Sequence, residues 1–223
     1  MKHIAVIMDG NGRWAVKRGR ERSVGYRFGA RALMRLAEDF LSFPISTLTV
    51  YAFSTENNKR DSKEVSNIFS VIASFLLSEV FPFCQKNGVA LRFIGNLDAL
   101  PDDLKQIAES NPAVSGEKTL VIAINYGGSD EILRAYEKIK EKGIVRPTEK
   151  DLYDNLDTAG LPMPDAVLRY GGYKRLSNFL PLQTIYSELF FIDKLWPDYD
   201  RSDIEKVISD FSDIKRNFGG NNA

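Results

Sequence analysis

The stretch IAVIMDGNGRW, residues 4–14, decides the reading of this chain. Five apolar residues run up to Asp9, and Gly10, Asn11 and Gly12 then break the pattern. A short apolar run closed by turn residues reads as a buried strand, here 4–8, with a helix opening just beyond it. In open α/β sheets ligands bind outside the carboxyl ends of strands. Glycines let backbone N–H groups approach a phosphate, and a helix N-terminus favours anions. Arg13, Lys17, Arg18, Arg20 and Arg22 follow, against the single acid Glu21. Arginine suits phosphate because its planar fork bonds two oxygens at once. Asp9 would repel such a ligand unless a cation lay between them, and magnesium is commonly held by one or two carboxylates plus substrate phosphates. The bland alternative is a glycine turn with an N-cap aspartate ahead of a solvated basic helix.

Working outward, residues 47–53 form a β-branched and aromatic run and read as a strand, and 89–94, 120–124 and 166–168 read as further strands. Between them lie helical patterns over 29–43, 61–81, 129–142 and 202–216. Asp61 and Glu64 resemble a capping box at the start of the second of these helices. Its apolar positions (Val65, Ile68, Phe69, Val71, Ile72, Phe75, Leu76, Leu77 and Val80) exceed a narrow stripe, so burial on several sides is expected. Strands alternating with helices predict an α/β layer fold with a mostly parallel sheet. No repeat or linker divides the 223 residues, which suits one domain over 1–223 with a frayed polar tail at 217–223.

Composition narrows the partners. Lys+Arg and Asp+Glu both number 30, so there is no global pull toward nucleic acid or an anionic membrane. Cys84 is the only cysteine, which excludes an internal disulfide and fits a reducing cytoplasm. The apolar run after Met1, Lys2 and His3 is too short for a signal-peptide core. No window reaches ~18 consecutive apolar residues, so any membrane contact is expected to be peripheral. The sole histidine, His3, opens a strand and reads as packing or surface rather than catalysis.

Two more polar groups stand at strand ends. Arg169, Gly171, Gly172, Arg175 and Ser177 would hold a second diphosphate around a Gly-Gly turn. Ser54, Glu56, Asn57 and Arg60 would line the same crevice, or form an ordinary Asx-type loop. Glu188 lies in the apolar run YSELFF, 186–191, where a carboxylate is costly unless paired or metal-bound. A metal ligand and an ion-pair partner for one of the arginines are the two readings.

Three segments in order, MDGNGRW (8–14), YAFSTEN (51–57) and the stretch from Arg169 through RLSNF (175–179) to YSELFF and LWPDYD (195–200), resemble the cis-prenyltransferase family typified by undecaprenyl diphosphate synthase. NYGG at 125–128 and RNFGG at 216–220 also fit. The resemblance implies a fold of six parallel strands surrounded by helices, an elongated apolar tunnel, a homodimer and Mg2+. The activity it implies is condensation of an allylic diphosphate with isopentenyl diphosphate. Asp9 matches the metal-binding aspartate, and Gly10, Asn11, Gly12, Arg13 and Arg22 match the allylic diphosphate cradle, beside Trp14 and Tyr26. Asn57 and Arg60 match residues beside the reacting groups, next to Ser54 and Glu56. Arg169, Arg175 and Ser177 match the isopentenyl diphosphate site, and Glu188 a second magnesium-associated carboxylate.

The chain departs from the family pattern at Tyr26 (usually His), Asn58 (Trp), Asp61 (Pro), Tyr170 (Thr) and Tyr173 (Glu). Tyr170 and Tyr173 flank the arginines of the second site and are expected to reshape it. A specialised short-chain or head-to-middle enzyme and a noncatalytic scaffold subunit are therefore alternatives. A nucleotide-binding protein is disfavoured, because GxxxxGK[ST] is absent and Gly10-Asn11-Gly12 lacks a third fingerprint glycine.

Overall fold

His3–Ile7 forms strand β1, and all five of its residues are buried. The computed structural model describes residues 1–110 and 116–214; the expected tail at 217–223 and the RNFGG segment lie outside them. Thr47–Tyr51 (β2), Val89–Ile94 (β3), Lys118–Ala123 (β4), Ala166–Arg169 (β5) and Glu188–Phe191 (β6) complete the sheet. The order is β3-β4-β2-β1-β5-β6, and every pairing is parallel. β6 was not legible as a strand, because four residues on a sheet edge give too short a pattern.

The helices along the described chain are Asn11–Val16 (α1), Arg22–Ser42 (α2), Ser62–Phe75 (α3), Phe81–Asn87 (α4), Asp102–Glu109 (α5), Gly128–Glu141 (α6), Glu149–Tyr153 (α7) and Arg201–Ser212 (α8). Successive strand residues face opposite sides of the sheet. Ile4, Val6, Leu48, Val50, Leu120 and Ile122 join the main core with α2, α3 and α8. Ala5, Ile7, Val121, Ala123 and Val167 face a smaller core closed by Phe179 and Leu180.

α2 begins seven residues before the position expected from apolar periodicity. Gly25 and Gly29 are where α1 lies against α2. A Cβ on Gly25 would stand 2.0 Å from the Asn11 carbonyl oxygen, and one on Gly29 2.1 Å from Asn11 Oδ1. Two missing side chains let the helices touch and press Asn11 into place.

α3 is not buried on several sides: of its residues only Ile68 is fully buried, and Val65, Phe69, Val71, Ile72 and Phe75 are half-buried. It continues through a π turn, Leu76–Val80, into α4. The resulting helical stretch Ser62–Asn87 is long and apolar enough, by length and composition, to cross a bilayer. Serines 66, 70, 74 and 78 interrupt its apolar run in sequence. In the fold its inner side packs on α2 and β3.

Candidate active site

The sheet extends from β1 through β2 and β4 to β3 on one side and through β5 to β6 on the other, and the chain crosses from the first side to the second after β4, so the order reverses about β1. A crevice is expected beyond the strand ends at such a switch point. Ile7 pairs with Arg169 there, and Asp9 follows two residues on. A cavity of about 340 Å³ opens at this place. Ile7, Met8, Ala52, Phe53 and Ile68 form its apolar floor, and Arg13, Arg22, Arg60, Arg169 and Arg175 its cationic wall. Ile68, from α3, is among the lining residues beside Phe53, so the apolar side of the cavity meets that helix.

Among the described residues, Asp9 is the one carboxylate lining the cavity. Its Oδ1 accepts from Arg13 Nη2 at 3.0 Å and its Oδ2 from Arg169 Nη2 at 2.9 Å. Gly10 turns the chain with φ +113°, and a Cβ there would meet Leu195 at 2.8 Å. This turn and the bond from Trp196 N–H to the Asp9 carbonyl at 2.9 Å fix the carboxylate. α1 has only six residues, so its N-terminus supplies little of the expected anion field, and the arginines must carry it.

Arg169 ends β5, and its side chain is 5% exposed. Besides Asp9 it donates to Ser177 Oγ at 2.7 Å and to the Arg175 carbonyl; its Nε is buried without a partner. Ser177, Asn178 and Leu180 all have positive φ (51°, 62° and 49°), so the loop that presents Ser177 is held in a costly conformation. On the opposite wall, Asn57 closes a capping box with Ser54, whose N–H donates to Asn57 Oδ1 at 3.2 Å.

Glu64 is a residue that sequence reasoning cast only as a cap. Asp61 does cap α3 through the N–H groups of Lys63 and Glu64. The Glu64 carboxylate turns instead to the cavity wall, accepting from Tyr26 and from Arg60 at 3.2 Å, with Arg22 at 3.8 Å. Three basic or phenolic groups, two of them about forty residues away, give no local signal for this. Burial, and then the hydrogen bond to Glu64, raise the Tyr26 pKa.

Of the expected site residues, Asp9, Gly10, Asn11, Gly12, Arg13, Arg22, Tyr26, Ser54, Asn57, Arg60, Arg169, Arg175 and Ser177 line this one cavity. Trp14 does not. It packs at a tilt against Phe28 (4.6 Å between centroids) and donates to Asp198 Oδ1 at 2.6 Å, anchoring α1. Glu56 sits outside, accepting from Asn178 at 2.8 Å. Burial works to raise its pKa, but hydrogen bonds from Asn178 and its own neighbours outweigh this and lower it.

The structure does not bring Glu188 to the cavity. It opens β6 opposite Ala166, three residues before the Phe191–Arg169 pair, which is roughly 10 Å back along the strand. Glu188 is not among the residues lining the cavity, and it makes no ion pair with Arg169 or Arg175 among the described residues. Tyr170 is also misplaced by the expectation. One residue after Arg169, it faces the other side of the sheet and is fully buried on Trp196, its hydroxyl donating to Asp203 at 3.1 Å. Only Tyr173 of the two tyrosines stands at the arginines.

Residues 7–219 match the family model described as "Putative undecaprenyl diphosphate synthase". The chain belongs to that family. This prenyltransferase is 40% identical over 223 residues to an isoprenyl transferase of Treponema denticola, covering 98% of the chain and 97% of the relative. It is 41% identical over 224 residues to one of Wolinella succinogenes, covering 99% and 97%. Among solved structures it resembles lavandulyl diphosphate synthase of Lavandula x intermedia in complex with dimethylallyl diphosphate, at TM-score 0.88, 28% identity and 98% coverage of both chains. It also resembles a probable undecaprenyl diphosphate synthase of Campylobacter jejuni, at TM-score 0.80, 34% identity and 99% coverage of both. The prenyltransferase is thus an α/β enzyme of the cis-prenyltransferase fold.

Proposed function

We propose that this enzyme condenses an allylic diphosphate, such as dimethylallyl, geranyl or farnesyl diphosphate, with isopentenyl diphosphate to give a Z-polyprenyl diphosphate. The observation that carries the reading is the Asp9 clasp on Arg13 and Arg169, set over an apolar floor at the sheet's switch point. One side of the cavity, with Arg22, Arg60 and Asn57, suits the allylic diphosphate. The other, with Arg169, Arg175 and Ser177, suits isopentenyl diphosphate. The allylic C–O bond breaks and diphosphate departs with the electron pair. The isopentenyl alkene bonds to the freed carbon, and one proton is lost to set the new double bond.

The guanidiniums act by holding the departing charge in place, and co-binding makes the encounter a local step. The lining phenols Tyr26 and Tyr51 both have raised pKa values, chiefly from burial, and Asp9 is held by two arginines. The phenols keep their protons and both Asp9 oxygens are occupied by guanidiniums, which leaves a diphosphate oxygen for that role. Magnesium fits the donor set, since a single lining carboxylate plus substrate phosphates is its ordinary environment. Asp9 would hold it, and when bound it neutralises charge on the leaving diphosphate. The hydrocarbon tail would extend past Phe53 and Ile68 toward the half-buried side of α3.

The family resemblance and the exposed apolar residues Ile185, Tyr186 and Leu189 beside edge strand β6 support a homodimer through that edge. Peripheral membrane contact for product release and a cytoplasmic location complete the reading. Labelled isopentenyl diphosphate with Mg2+ and each allylic acceptor tests it; no incorporation with any acceptor would defeat it. The likeness to lavandulyl diphosphate synthase favours one alternative, head-to-middle coupling of two allylic units. Product mass and double-bond geometry separate the two.

A further inference from the structure

Tyr173 is 43% exposed, yet three guanidiniums gather around its ring. Arg175 lies 4.2 Å from the ring centroid, Arg13 4.7 Å and Arg169 5.7 Å. The first two distances are well within the range of cation–π attraction to a tyrosine face. The three arginines differ in what else holds them. Arg13 donates to Asp9 and to the Gly171 carbonyl at 2.9 Å, and Arg169 to Asp9 and Ser177. The Arg175 guanidinium has neither an ion pair nor a hydrogen bond among the described residues, so the Tyr173 ring is its one attractive contact. An arginine side chain otherwise free to turn toward water is thereby kept at a cavity already crowded with positive charge.

The ring itself is well anchored. Gly171 and Gly172 have φ of 92° and 76° and fold the chain back on itself. Their N–H groups donate to the Lys194 and Ile192 carbonyls at 2.8 and 3.2 Å, which ties the turn to the segment following β6. Tyr173 therefore stands on a fixed backbone beside the second diphosphate subsite.

We propose that Tyr173 is a positioning residue, whose ring face holds Arg175 and steadies Arg13 in the cavity before isopentenyl diphosphate arrives. The claim rests on the proposed function for the identity of that substrate. It predicts that the ring rather than the hydroxyl matters, and that the effect falls on binding rather than on the chemical step.

The test compares Tyr173→Phe and Tyr173→Leu with the unmodified enzyme. Two readouts are taken: steady-state kinetics, and calorimetric binding of inorganic pyrophosphate in EDTA. Tyr173→Leu should raise KM for isopentenyl diphosphate about fivefold, equivalent to about 1 kcal/mol, with kcat within twofold. It should weaken pyrophosphate to a similar extent. Tyr173→Phe should retain both values within twofold. An unchanged KM and unchanged pyrophosphate affinity in Tyr173→Leu would overturn the proposal, as would equal losses in Tyr173→Phe. So would an effect confined to kcat. Should the enzyme bind pyrophosphate with this Tyr173 dependence but incorporate no isopentenyl diphosphate, the reaction would fall and the role of the ring would stand.

Discussion

Replacing Asp9 with Asn should move three observables in directions that no general damage would produce together. Asp9 bridges Arg13 and the almost fully buried Arg169. An asparagine oxygen can accept from one guanidinium, while its NH2 group faces the other. Breaking a buried ion pair by removing one partner costs about 3–5 kcal/mol. Here the Asp9 side chain is 28% exposed and Arg169 keeps Ser177, so about 2 kcal/mol is the reasonable loss. For a chain of this size that lowers Tm by about 4–8 °C. Binding should move the other way. A carboxylate ~4 Å from a phosphate is worth about 1–4 kcal/mol of repulsion at effective dielectric constants between 80 and 20. Taking about 1.4 kcal/mol for a site open to water, inorganic pyrophosphate in EDTA should bind roughly tenfold tighter to the variant. Turnover with Mg2+ should nevertheless fall by about a thousandfold, or about 4 kcal/mol, because the metal anchor is gone. Melting curves, calorimetry in EDTA and labelled isopentenyl diphosphate incorporation measure the three effects. Turnover within tenfold of the parent, or weaker metal-free pyrophosphate binding, would refute the placement of Asp9 between metal and arginines.

Gly29→Ala places a methyl 2.1 Å from Asn11 Oδ1, so α1 must shift; about 1–3 kcal/mol of stability should be lost in chemical denaturation, together with diphosphate affinity. His3 is buried, with Nδ1–H donating to the Pro162 carbonyl at 2.7 Å and Nε2 accepting from Thr49 at 2.8 Å, and burial lowers its pKa from 6.5 to about 4. The unfolded chain therefore takes up a proton that the folded one refuses, and stability should decline as pH falls from 6.5 toward 4. The loss attributable to His3 is about 2 kcal/mol at pH 5, and His3→Gln should flatten that slope in urea titrations. Tyr170→Phe deletes one hydrogen bond to Asp203 on the far side of the sheet; it should cost about 1 kcal/mol in Tm analysis and leave both substrate KM values unchanged. A changed KM would return Tyr170 to the substrate pocket.

Sequence by itself determined the alternating α/β plan, five of the six strands and the three polar strand-end clusters, because each is written locally. β-branched runs, glycine breaks and a charge pattern need only neighbouring residues to be read. What the tertiary structure decided was direction and company. Arg169 and Tyr170 are adjacent in the chain, yet the twofold pleat sends one to the cavity and the other into the main core. Glu188 was read beside the arginines, but the β5–β6 register sets it at the opposite end of the strand. Glu64 resembles a cap in sequence but is a partner of Tyr26, Arg22 and Arg60, and Gly25 and Gly29 are the seat of α1. Each outcome depends on contacts between residues distant in sequence, which exist only once the sheet has fixed its register and the helices have packed.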